Sequence, residues 1–193
     1  CVTGLVVQDT ATYWSVFGQS VILVLIQIGG LGVITVAASF ALLSGRKISL
    51  MQRSTMQEAI AAPKVGGIVR LTFFVLKVTF LIELLGALVM MPTFIHDFGA
   101  KGIWMSFFHS ISAFCNAGFD IMGTEGAKFA SITSYLGNSV INVTIMLLIV
   151  IGGIGFLTWE DICTNKFHFK RSRMHSKVIL ATSGLLILLP AMF

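Results

Sequence analysis

Two short runs carry the residues best suited to holding an ion. Cys1-Val2-Thr3-Gly4 and Cys115-Asn116-Ala117-Gly118 share the spacing Cys-x-x-Gly, and each is followed by an acid, Asp9 or Asp120. The chemistry on offer is that of the backbone: carbonyls of a non-helical stretch can replace a cation's water shell. Glycine suits such a stretch because it reaches angles barred to other residues and lets carbonyls point inward. An acid just outside, as Asp120 is, raises the local cation concentration. The competing reading of the second run is a buried hairpin with no transport role. Gly123 lies just outside it and reads as a position where a side chain does little harm.

These runs belong to a larger repeated unit. Gly18-Gln19-Ser20-Val21-Ile22 returns as Gly137-Asn138-Ser139-Val140-Ile141, and Ile28-Gly29-Gly30-Leu31-Gly32 returns as Ile151-Gly152-Gly153-Ile154-Gly155. Each copy therefore reads Cys-x-x-Gly, a polar loop, then an apolar helix bearing Gly-Gly-x-Gly. A unit repeated within one chain points to an architecture built from copies around an axis. Gly29, Gly30 and Gly32, with Gly152, Gly153 and Gly155, read as hinges of helices lining that axis or as close-packing positions. Gly18 to Gly29 is 11 residues and Gly137 to Gly152 is 15, so the copies differ by about one helical turn.

Composition places these elements in lipid. The chain is 56% hydrophobic and 11% charged, with mean hydropathy +0.93, outside the range of soluble domains. Thr10 to Gly45 and Phe129 to Trp159 hold no charge, and each exceeds the roughly 20 apolar residues that span a bilayer. A third span is expected over about Leu71 to Pro92, and a fourth from Val178. The chain opens on Cys1 without an initiator Met, and its last apolar stretch stops at Phe193, so it reads as a fragment. The connector from Gly45 to Arg70 carries Arg46, Lys47, Arg53, Lys64 and Arg70 against Glu58, a net of +4. That from Thr158 to Lys177 carries Lys166, Lys170, Arg171, Arg173 and Lys177 against Glu160 and Asp161, a net of +3. The other loops, with Asp9, Asp97, Asp120 and Glu125 against Lys101 and Lys128, sum to −2. Both basic connectors fall on one side, which the positive-inside bias makes cytoplasmic. The basic balance is thus a topology signal; nucleic-acid binding receives little weight because the connectors have few aromatics.

The run Lys101 to Phe114 is apolar and helix-compatible but only 14 residues long, too short to cross and suited to a re-entrant helix. Non-helical backbone at membrane depth, as expected at 115–120, is tolerated only where it lines water or is buried in protein. A helix that enters from outside and ends mid-membrane also points its negative dipole end at a dehydrated cation. Within the third span, Lys77 reads as snorkelling to the interface, and Glu83 as pairing with a basic group in the bundle. His109 reads as a packed core residue, with no second ligand at metal spacing. Cys1, Cys115 and Cys163 offer no disulfide framework.

The runs Cys-Val-Thr-Gly-Leu at 1–5, Gln-Ile-Gly-Gly-Leu-Gly at 27–32, Phe-Cys-Asn-Ala-Gly-Phe-Asp at 114–120 and Ile-Gly-Gly-Ile-Gly-Phe at 151–156 resemble the superfamily of Trk, Ktr and HKT potassium transporters, most closely the membrane subunit of bacterial Ktr (NtpJ-type) systems. The resemblance implies an all-α membrane protein, with tandem helix–pore loop–helix repeats around a central ion path, of which this is a fragment of a four-repeat fold. It makes Gly4 and Gly118 selectivity-filter glycines, with Val2, Thr3, Asn116 and Ala117 supplying neighbouring carbonyls and Asp120 at the outer mouth. The expected divisions are 1–44, filter and inner helix of the first repeat; 45–65, cytoplasmic connector; and 66–159, second repeat. The second repeat would hold a pore helix at about 101–114, a filter at about 115–120 and an inner helix at about 131–159. A second connector at 160–177 and the start of a third repeat's outer helix at 178–193 follow.

Function by this resemblance is potassium uptake down the electrochemical gradient through the cell (inner) membrane. No cofactor or resident metal is expected; the transported ion is K+, with Na+ possible. Expected partners are membrane lipid, a second copy of the intact subunit and a cytoplasmic ring of nucleotide-binding regulators. The filters lack the full Thr-Val-Gly-Tyr-Gly of tetrameric channels, which keeps a less selective Na+/K+ pore as one alternative. A secondary transporter with broken helices is another, although its repeats are usually inverted. An enzyme would need a nucleophile and base, or a metal cluster, gathered at one depth.

Overall fold

The computed structural model describes residues 4–32, 68–164 and 174–191, and among these the ordered elements are all helical. In chain order they are α1 (Thr10–Tyr13), α2 (Val16–Leu31), α3 (Ile68–Phe98), α4 (Lys101–Phe114), α5 (Ser139–Gly153), α6 (Phe156–Thr164) and α7 (Met174–Ala191), with a 3-10 turn at Thr133–Tyr135. Two compact units divide the chain: 1–36 with 76–153, and 37–75 with 154–193.

The first unit holds both Cys-x-x-Gly runs and both Gly-Gly pairs. α3 is the one helix among the described residues long and apolar enough to cross a membrane alone, over Thr72–Phe98, with mean hydropathy 2.2 in an 18-residue window of that stretch. It runs past the expected limit at Pro92, which sits inside the helix. Its end is a glycine stop: Gly99 adopts φ +60, and its N–H donates to the Ile95 carbonyl at 2.8 Å. Such a left-handed residue just past a helix is the usual role of glycine at that position. The chain then doubles back. Gly102 packs directly on the backbone of Phe94, and Ser110 donates its hydroxyl to the Glu83 carbonyl at 2.6 Å. α4 therefore runs antiparallel beside α3, and its last turn stands level with Glu83, at the midpoint of the 31-residue helix. At 1.5 Å per residue, α4 covers about 21 Å beside a helix of about 46 Å.

α5 packs along α4, and α2 also packs on α4. Both start on polar caps. Ser15 accepts from the Gly18 N–H at 3.4 Å, and Asn138 Oδ1 accepts from the N–H groups of Val140 and Ile141 at 3.1 and 3.3 Å. These bonds satisfy N-terminal donors that the helices themselves leave open. The stretch expected as one inner helix over about 131–159 is divided. It comprises the 3-10 turn, α5, and then α6 after a break at Ile154-Gly155, where Gly155 takes φ +90. A backbone in that region cannot continue a right-handed helix. α2 ends in the matching way, with Gly32 at φ +82 and its N–H on the Gly29 carbonyl at 3.2 Å.

In the second unit, α6 packs on α7. α7 begins at Met174, four residues before the expected start of the fourth span. Of the connectors expected at 45–65 and 160–177, the first and residues 165–173 of the second lie outside the described residues, as do Cys1, Val2 and Thr3, whereas 160–164 and 174–177 are helical, in α6 and α7.

Candidate functional site

The turn after α4 is built by a specific helix stop. Asn116 adopts φ +51, its N–H donates to the Ala113 carbonyl at 3.1 Å, and the Ala117 N–H donates to the Ser112 carbonyl at 2.9 Å. These paired bonds form a Schellman motif, with asparagine as its left-handed residue. The Cys115 N–H also turns back, to the Ile111 carbonyl at 2.9 Å. Three successive N–H groups are thus spent on the helix end. Ser112 fixes the far side by donating its hydroxyl to the Phe119 carbonyl at 2.6 Å. Ala117 is buried at 1% exposure, whereas Asn116 and Gly118 are exposed.

Gly118 takes φ +72 and Gly4 takes φ +61, and the two lie side by side. A Cβ added to Gly4 would sit 2.7 Å from the Gly118 carbonyl oxygen and 2.9 Å from its Cα. Both the left-handed angle and the close approach call for glycine here. The two Cys-x-x-Gly runs, 114 residues apart in sequence, therefore bring their glycines into backbone contact.

The glycine-bearing helices converge on the same turn. A Cβ on Gly30 would collide with the Cys115 side chain, and one on Gly152 would collide with the Phe114 carbonyl. Gly29 has open space around it, and Gly153 has only the Asn116 amide at 3.9 Å. The contacting glycine is thus the second of the pair in α2 and the first in α5. One residue of offset turns a helix by about 100°, which suits one helix packing on the other copy's turn and the other on its own. Gly32 and Gly155 serve as helix stops.

The two acids differ. Asp120 accepts from the Met122 N–H at 3.2 Å and, with His109, Asn116 and Gly118, lines a cavity of about 250 Å³ beside the turn. Asp9 is only 4% exposed and acts as a clamp. It accepts from the Thr12 hydroxyl at 2.7 Å, the Thr12 N–H at 2.9 Å and, across 120 residues, the Phe129 N–H at 3.1 Å. Burial works to raise its pKa, but these hydrogen bonds outweigh it and hold the carboxyl below the usual 3.8. Asp9 is therefore not the counterpart of Asp120. The tolerance expected at Gly123 is also corrected: a Cβ there would run into the Asp9 carboxylate. Gly126, three residues on, has nothing within 4 Å.

Glu83 departs from expectation as well. It is 4% exposed, and no basic group serves it among its described contacts. Both its oxygens accept from Gln27 Nε2, at 3.0 and 3.1 Å, and Cys115 Sγ donates to Oε1 at 3.9 Å. Sequence reasoning missed Gln27; a polar side chain directly before Ile28-Gly29-Gly30 in an otherwise apolar run was the available signal. It also missed Gln19, which accepts from Trp104 Nε1 at 2.9 Å and donates to the Trp14 carbonyl at 3.2 Å, tying α4 to α2 and the loop before it. Lys77 is exposed. His109 is packed, its Nδ1 2.7 Å from the Met105 carbonyl and its ring stacked on Phe94 at 5.5 Å.

A helical chain with paired left-handed glycine turns is matched over residues 1–188 by the TrkH family profile, described as cation transport protein. The chain belongs to the TrkH family. It is 38% identical over 190 residues to the potassium/sodium uptake protein NtpJ of Enterococcus hirae, covering 97% of this chain and 40% of that protein. It is 40% identical over 180 residues to the Ktr system potassium uptake protein B of Bacillus subtilis, covering 93% and 39%. A Ktr system potassium uptake protein B from Vibrio alginolyticus matches at 30% over 191 residues, covering 97% and 40%. The chain spans about two-fifths of the length of these relatives. They are named as uptake proteins, and the family is one of membrane transporters, not enzymes.

Proposed function

We propose that this TrkH-family segment supplies two of the carbonyl-bearing turns of a potassium-selective path in a multi-pass cell-membrane protein. The observation that carries the reading is the contact between Gly4 and Gly118, both left-handed, at the end of a helix that stops halfway along α3. The N–H groups of residues 115–117 are bound to α4, so what this backbone has left to offer a passing ion is carbonyl oxygen. Carbonyl dipoles in sufficient number replace the hydration shell of a potassium ion, and the C-terminal end of α4 adds its negative partial charge. Gly4 and Gly118 touch, so an ion path lies to one side of the pair and is completed by further chain. Relatives two and a half times as long have the length to provide it.

The path is channel-like: no covalent chemistry is involved, and the membrane potential drives the cation inward. Val2 and Thr3 supply carbonyls on the first turn, Asn116 and Ala117 on the second, and Asp120 concentrates cations outside. The intact subunit pairs with a second copy and rests on a cytoplasmic ring of nucleotide-binding regulators. The support for that assembly is the basic connectors and the kinship with proteins named for Ktr systems.

The test is Gly118→Ser in the full-length transporter, assayed by rubidium and potassium uptake in a potassium-requiring bacterial strain. A Cβ at φ +72 is strained whatever space surrounds it. Uptake at low external potassium should weaken and the preference over sodium should narrow, with normal amounts in the membrane. Gly126→Ser, in open space, should change neither. Unaltered affinity and preference in Gly118→Ser would remove this turn from the ion path.

A further inference from the structure

The carboxylate of Glu83 is buried at the middle of α3, and its partners are an amide and a thiol instead of a base. Carboxylates are costly at membrane depth, and those that occur there are usually functional. We infer that Glu83 is a positioning residue for the second carbonyl-bearing turn, bracing it against α2 through Gln27 and Cys115, and that it thereby helps set which cation the path accepts. This rests on the reading of residues 115–118 as part of the ion path.

Four contacts define the brace. Gln27 Nε2 donates to both carboxylate oxygens, joining α3 to α2. Cys115, the first residue of the turn, points its thiol at Oε1. Ser110, in the last turn of α4, donates to the main-chain carbonyl of Glu83 itself. Gly30 presses on the Cys115 side chain from α2. Gln27 and Gly30 are three residues apart and so share one helix face. That face meets α3 through the amide and the turn through the glycine. Glu83 is the residue at which side-chain contacts from α2, α4 and the turn converge.

Such a brace controls placement, not chemistry. Coordinating groups work within about 0.5 Å of their productive geometry only when supporting residues lock them. Removing the carboxylate frees Cys115 and Gln27 together, so the turn keeps its backbone bonds to the end of α4 but loses its side-chain tie to α3 and α2, and its carbonyls can shift with the α4 end. The maximal rate depends on the whole path. The ion preference depends on the field of these carbonyls, so it is the property a positioning role should move.

The experiment measures uptake in the full-length transporter as a function of external potassium, with and without competing sodium. It compares Glu83→Ala, Gln27→Ala, their double variant, Glu83→Gln and Gly118→Ser. Losing a buried hydrogen bond corresponds to about a fivefold to tenfold change in an equilibrium. Glu83→Ala should raise the potassium concentration for half-maximal uptake by about that factor and lower the preference over sodium similarly. Gln27→Ala should shift both in the same direction. The double variant should be no worse than Glu83→Ala, because the two residues act as one unit. Glu83→Gln keeps an acceptor at the same place and should retain most of the preference.

If Glu83→Ala changes only the amount or maximal rate while Gly118→Ser shifts affinity and preference, the brace is overturned and the ion-path reading stands. Strictly additive effects in the double variant would also overturn it. If Gly118→Ser shifts neither quantity, both inferences fall together. Should Glu83→Ala fail to reach the membrane, Gln27→Ala decides, and an unchanged preference there overturns the proposal.

Discussion

Asp9 shows how one carboxylate can serve a purpose its neighbours in sequence do not suggest. Its lowered pKa means that the folded state binds the ionised form better than the unfolded chain does. The stability it adds is therefore present above the ordinary value of 3.8, and is lost as pH falls through the lower folded value. Protection of the Thr12 and Phe129 amides from hydrogen exchange should hold from pH 7 to about pH 4 and fall below that. In Asp9→Asn it should be weak throughout and lack this acid step. Equal protection in both proteins down to pH 2.5 would rule the clamp out. Spacing alone made Gly4 and Gly118 legible, since a turn demanding φ above zero leaves a glycine behind. It could not reveal that Asp9 is folded inward, because its distant partner is a backbone N–H, and any residue type except proline carries one. Glu83 was legible as important because charge is rare in such a helix, but its partner was not. A base is the commonest partner for a buried acid, and an amide from 56 residues away leaves no charge signature.

Helix ends were more readable than helix continuity. The apolar run of α4 opens after Gly99 and closes where Asn116 can take a left-handed turn, and both limits are written in residue type. The division between α5 and α6 was legible only in part: Gly155 was a candidate hinge, but apolarity runs on unbroken through Ile154-Gly155-Phe156, so one inner helix was expected across it where the backbone turns. Within these helices the paired glycines separate by what faces them. Gly30→Ala and Gly152→Ala should each destabilise the purified protein by about 1–3 kcal/mol through overpacking at the turn. Gly29→Ala, with open space around it, should be neutral or gain about 0.5–1 kcal/mol from helix propensity. Thermal unfolding in detergent measures all three. Similar losses at Gly29 and Gly30 would mean that both glycines act as hinges and that the packing distinction is empty.

For the whole molecule, the all-helical class and the family followed from composition and motifs, since the lipid environment leaves few alternatives to helices. The sidedness expected from the charge distribution is open to a direct check. Cys163 is exposed and lies near the end of α6, within the second basic connector expected at 160–177. An impermeant maleimide should label it only after the cells are opened, with the signal lost in Cys163→Ser. Gly126→Cys, in the loop beyond the second turn, should label in intact cells. The reverse pattern would invert the assigned topology. The bond from the Phe129 N–H to Asp9 also sets a clock for biosynthesis. Its partners are 120 residues apart, and at about 5–20 residues per second a ribosome needs roughly 6–24 s to reach the second from the first. Throughout that interval the first turn's flank is without its closing bond. The segment around Asp9 must therefore wait unlatched until the loop around Phe129 emerges to fasten it.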